Sequence, residues 1–247
     1  MTFRPIEWLV DELHRSSAVR STAYFSGAVV ILEVVRSRID VTRPDATVRL
    51  HLMVFPASAA LTYLMLRLEG RTDVTQVPIR RGLAHALLGA GVGVTAWLVV
   101  LGVAHAKEWV SLPAWGWEQT SPSAVIRSVT LHGIGQLAVA WNEEMLFRGY
   151  GFETLRAATG TGASAGILIP LFALYHGFSP RVLVGMSVAG TLFTVLRLQT
   201  HGVWFGIGYH WAWNVMQTAV FGPPDGLPSI RPLHVQDSSA WMGRPGY

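Results

Sequence analysis

A chain of 247 residues that is 51% hydrophobic and only 14% charged is too apolar for a water-soluble domain. Its length suits one bundle of about six to eight membrane helices, each needing about 20 residues plus a loop. The 19 basic residues are nearly all arginine, dispersed and never in a run, which points to anchoring on anionic lipid head groups and away from nucleic acid. The absence of cysteine excludes disulfides, thiolate nucleophiles and cysteine metal sites.

Residues 1–20 set Ile6, Leu9, Val10 and Leu13 at helical spacing among charged residues, the pattern of an interfacial helix. A short first span is expected over 22–39, with its arginines reaching outward, and a second over 48–68 with Pro56 inside it. The third, 82–104, carries Gly89 and Gly93, a small-xxx-small pair that lets another helix come close. Residues 105–121 read as a tryptophan-bearing loop at the head-group level. The fourth helix is expected to run over 123–158, until Thr159-Gly160-Thr161-Gly162 stops it; at that length it must tilt, kink or emerge from the membrane, and its last half, with Glu153 and Arg156, is amphipathic enough to lie at the surface. Spans over 163–178, 182–198 and 202–221 follow, then a flexible Pro-, Gly- and Ser-rich tail over 223–247. The expected fold is therefore an all-α polytopic membrane helix bundle with about seven transmembrane helices, forming a single membrane domain over 1–247.

The costliest feature is the pair Glu143 and Glu144 with Arg148 inside the fourth span. A charge near the bilayer centre costs about 3 kcal/mol even on the lenient insertion scale, so such residues face a bundle interior and serve a function. Glu144 and Arg148 stand four apart with the acid first, the favourable order for an ion pair. Glu143 points about 100° away on the helix and needs another partner. Counting rise along the helices puts Glu143 roughly 22 Å and His176 roughly 20 Å from the same membrane face, with His210 and Asn214 roughly 12 to 18 Å in. A carboxylate, two imidazoles and an amide from three helices thus share one level, which packing alone does not require. His85, His132 and Gln136 read first as interhelical glue; the second reading of His132 and Gln136 puts them on the face of Glu143. Phe172, Trp211 and Trp213 read as lipid-facing or packing residues.

These residues resemble the CPBP intramembrane protease family, which holds the type II CAAX prenyl endopeptidases and the bacterial Abi proteins. Glu-Glu-xxx-Arg matches Glu143, Glu144 and Arg148; Phe-xxx-His matches Phe172 and His176; His-xxx-Asn matches His210 and Asn214. The match spans a motif-bearing core over 123–222. The resemblance implies a multi-pass protein of the bacterial inner membrane, in contact with lipids, that hydrolyses a peptide bond of a peptide or membrane-protein substrate. On that reading Glu143 is the general base, His176 helps to hold the water, and His210 and Asn214 donate to the oxyanion. Glu144, Arg148 and Phe172 support them. No cofactor is expected; the alternative is zinc held by Glu143, His176 and His210. A non-proteolytic scaffold or immunity-type protein, or a proton-coupled transporter, are the rival functions.

Overall fold

The computed structural model describes residues 5–40, 42–43, 45–71, 78–222 and 227–235. Ten α-helices are described: α1 (Pro5–Arg15), α2 (Ser17–Arg36), α3 (Ala46–Leu68), α4 (Ile79–Ala106), the single turn α5 (Gly116–Gln119), α6 (Pro122–Phe147), α7 (Tyr150–Thr159), α8 (Thr161–His176), α9 (Pro180–Thr200) and α10 (Trp204–Val215). By length and composition α2, α3, α4 and α9 can each cross a membrane, and α8 is a shorter apolar helix. The protein is an all-α integral membrane protein. The apolar face read from Ile6, Leu9 and Val10 lies outside the described side chains, whereas Leu13 is buried. Of the tail, only 227–235 falls within the described residues.

The chain divides into two compact units, and α3 and α6 each contribute to both. The first unit holds α1, α2, α3 from Met53, the end of α6 from Asn142, and α7 to α9. Ser16 starts α2 by accepting the Val19 N–H at 3.3 Å, so the helix begins five residues earlier than the apolar run at Thr22 suggested. In the same way Ser179 accepts the Val182 N–H and Pro180 opens α9, which makes a tight turn between α8 and α9.

The helix expected over 123–158 is two helices. α6 ends at Phe147, and both Arg148 and Gly149 donate their N–H groups to the carbonyl of Glu144, at 2.9 and 2.7 Å. A Cβ on Gly149 would sit 2.9 Å from the Met145 backbone, so the turn that redirects the chain into α7 needs glycine. The charged motif therefore occupies a helix end instead of a helix middle.

The second unit holds the start of α3, α4, α6 through Trp141, and α10. Here Gly89 and Gly93 of α4 face the backbone of Phe205 and Tyr209 in α10, and Gly208 of α10 faces Ala86 in return. The glycine pair thus does what its spacing suggested and brings two backbones together. The tryptophan-rich stretch 105–121 is not wholly a loop: Val110–Ser111 pairs antiparallel with His234–Val235, and α5 packs Gly116 against Ser229. Trp115 and Trp117 stack at 4.7 Å, and Arg231 lies over Trp115 while donating to the Leu112 carbonyl.

A side chain at Gly89 meets backbone that cannot move aside, whereas Gly91 has open space around it. Gly89→Val is expected to destabilise the protein by about 3 kcal/mol, the upper end for overpacking, and Gly91→Ala to be neutral or slightly stabilising. Thermal unfolding of the two variants in lipid nanodiscs checks the contrast.

Candidate active site

The end of α6 is where the first unit concentrates its charge. Glu143, Glu144 and Arg148 are all buried, the last two with only 1% of their surface exposed. Arg148 Nη1 lies 3.5 Å from Glu144 Oε1, and Nη2 donates to the carbonyl of Gly190 in α9 at 3.2 Å. The guanidinium face rests on aromatic rings, 4.1 Å from the centroid of Phe172 and 5.3 Å from that of Phe193. A planar cation can accept stacking on its face while its edge donates hydrogen bonds, which a lysine cannot do. Just upstream, Ser58 of α3 donates to Asn142 Oδ1 at 2.7 Å and ties this end of α6 to its neighbour.

His176 is the last residue of α8. Its Nδ1 lies 2.8 Å from the Phe172 carbonyl, and since a carbonyl only accepts, Nδ1 carries the hydrogen. This leaves Nε2 as the reactive nitrogen, and it faces Glu143 Oε2 at 3.6 Å, beyond hydrogen-bond length. The His176 side chain is 26% exposed against 5% for Glu143, so the pair is reached from the histidine side. Phe172 is neither lipid-facing nor mere filler: its ring lies between the Arg148 guanidinium and the imidazole of His176, 4.5 Å from the latter. The four-residue spacing of Phe172 and His176 stacks them on one face of α8.

His210 and Asn214 belong to the second unit, on one face of α10. His210 is buried, and Asn214 Nδ2 donates to Gln136 Oε1 of α6 at 3.0 Å. Gln136 is therefore glue in the sense expected, but its partner is a motif residue. His132 turns to its own helix, with Nδ1 3.2 Å from the Ser128 carbonyl. Trp211 donates its indole N–H to the Gly133 carbonyl, and Trp213 stacks on Tyr209, so both are packing residues. After Asn214 the helix widens into a π-turn over Met216–Val220, a form often found beside functional groups.

A catalytic zinc takes three protein ligands. Among the described residues no group of three or more His, Asp and Glu is placed to hold a metal ion.

Residues 125–216 match the family described as Type II CAAX prenyl endopeptidase Rce1-like. This segment is similar to the type II CAAX prenyl endopeptidases. All seven motif residues, from Glu143 to Asn214, fall inside it. No curated protein and no solved structure matches the chain. Sequence reasoning on the CAAX endopeptidase motifs passed over Arg197 and Glu153, which pair at 2.5 Å in the first unit. An arginine in the last turn of an apolar helix reads as a membrane anchor, and nothing local distinguishes it from one.

Because Glu144 and Arg148 are buried together, losing one strands the other. Arg148→Met is expected to destabilise the protein by about 3 to 5 kcal/mol, and adding Glu144→Leu to recover a large part of that. Denaturant unfolding of the single and double variants measures the coupling.

Proposed function

We propose that this protein is an intramembrane endopeptidase of the CAAX-protease type, in which Glu143 activates a water directly. The observation that carries the reading is the apposition of Glu143 Oε2 and His176 Nε2, with Nδ1 of the histidine committed to a carbonyl. Both facing atoms are acceptors when the imidazole is neutral and the carboxylate ionised. A water donating to each presents its oxygen lone pair outward, the arrangement a nucleophile needs. Glu143 takes one proton as the water oxygen bonds to the carbonyl carbon of the scissile peptide. The motif alone gives His210 and Asn214 the role of N–H donors to the oxyanion, which an amide suits better than metal ligation. The proton held by Glu143 then passes to the amide nitrogen as the C–N bond breaks, leaving an amine and a carboxylic acid, whose proton the amine takes up to give a carboxylate and an ammonium.

Glu144 is the wrong carboxylate for the base, because Arg148 occupies it. The reading assigns water activation to the side chains alone. The family name makes a prenylated C-terminal peptide the first substrate class to try, and the family's bacterial members make the bacterial inner membrane the proposed location.

Purified protein in nanodiscs with a farnesylated CAAX peptide tests the reading. Glu143→Gln and His176→Ala are each expected to lower kcat at least about 100-fold, in the range of general acid–base catalysis, with unfolding temperature unchanged. Cleavage at the wild-type rate by Glu143→Gln would sink the assignment, and biological function retained in both variants would favour a scaffold. Activity is also expected to survive a strong chelator. Stoichiometric zinc whose removal abolishes cleavage and whose return restores it would refute the metal-free step.

A further inference from the structure

α6 ends in the protein interior, and a helix end leaves carbonyl groups without intrahelical partners. The carbonyl of Arg148, just past that end, accepts a hydrogen bond from Arg197 Nε of α9 at 2.9 Å. Arg197 is itself buried, 7% exposed, and its Nη2 donates to Glu153 Oε1 of α7 at 2.5 Å. Arg156 holds the other oxygen of Glu153 at 3.0 Å. Gly190, whose carbonyl receives the Arg148 side chain, lies two turns before Arg197 on the same face of α9. One face of α9 therefore grips Arg148 twice, by its side chain and by its main chain.

The electrostatics call for such a grip. The C-terminus of a helix is the negative end of its dipole, and α6 carries Glu143 and Glu144 there. Arg148 offsets one carboxylate through its side chain. A second guanidinium on the terminal carbonyl offsets the helix end itself.

We infer that Arg197, aimed by Glu153, is a positioning residue for the hydrolysis: it caps the Arg148 carbonyl and holds the last turn of α6 that carries Glu143. This rests on the reading of Glu143 as the base. A displacement of a catalytic group by about 1 Å can cost about 100-fold in rate, so a loosened turn would show in kcat before it showed in substrate binding.

The test uses the full chain in nanodiscs, the farnesylated CAAX peptide, and hydrogen–deuterium exchange over residues 144–152. Arg197→Lys keeps the charge but cannot serve both the carbonyl and Glu153 in the guanidinium's fork geometry. It is expected to lower kcat about 10- to 100-fold with KM unchanged, and to speed exchange over 144–152 about tenfold while 182–196 stays protected. Arg197→Ala is expected to regain part of its kcat when guanidinium ion is added at non-denaturing concentration. Wild-type kcat and wild-type exchange in Arg197→Lys and Arg197→Gln would overturn the inference. So would a loss of protection spread evenly over the chain, which would mark a general structural role. Glu143→Gln is measured alongside: if it still cleaves, or if the wild type leaves the peptide intact, the base reading has failed and exchange alone decides whether Arg197 holds the turn.

Discussion

Two adjacent carboxylates at the buried, negative end of a helix form the arrangement on which the first unit depends. Burial removes them from bulk solvent, and the dipole of α6 opposes them. The remedy is a guanidinium that must itself be buried, which explains why Arg148 is surrounded on every side it can use. Glu144 and the Gly190 carbonyl take its edge, and Phe172 and Phe193 take its face. The tight Ser179–Pro180 turn sets α8 and α9 side by side, so Phe172 comes from one and Gly190 and Phe193 from the other. The pairing of these helices is thus fixed by what one cation requires. The apolar cluster of Phe147, Phe152, Leu168 and Phe172 supplies burial that offsets the desolvation.

The second unit solves a different problem. It has an amide and an imidazole on one helix, held by close backbone contact. Three glycines let α4 and α10 approach at the level of their main chains, which leaves α10 little freedom to rotate. Gln136 then sets the orientation of the Asn214 amide by accepting from its nitrogen. The oxygen and nitrogen ends of an asparagine are chemically opposite, so a partner that fixes which end points where matters more than its contribution to stability.

Much of this was legible because costly residues announce themselves. Glu143, Glu144, Arg148 and His176 were visible as charges or imidazoles in apolar runs, and helical rise alone placed Glu143 and His176 at similar depths. The glycine pair at 89 and 93 was readable from spacing. What escaped depends on contacts far apart in the chain. The pairing of Val110–Ser111 with His234–Val235 joins segments with no local strand signal. The end of α6 at Phe147 looked like a continuing helix because Gly149 is tolerated in helices, and only the proximity of Met145 makes it obligatory. Arg197 looked like a lipid anchor until the carbonyl it caps was in view. Phe172 was recognised as part of a motif, but its position between a guanidinium and an imidazole is a property of three elements at once.

The separate fates of Glu143 and Glu144 follow from the helix itself. Neighbouring residues diverge by about 100°, so two identical side chains at one helix end cannot share a partner on the same face. Arg148, one turn later, pairs with Glu144 at the favourable four-residue spacing. Glu143 is directed toward α8, where His176 Nε2 faces it at 3.6 Å. The orientation of that imidazole is set in turn by a backbone carbonyl one helical turn back, at Phe172, the residue whose ring supports Arg148. Phe172 therefore acts on both carboxylates, on Glu144 through the cation it stacks against and on Glu143 through the tautomer its carbonyl selects. A Phe-xxx-His spacing is what allows one residue to do both, because only an i, i+4 relation brings the ring and the carbonyl of one turn against the imidazole of the next.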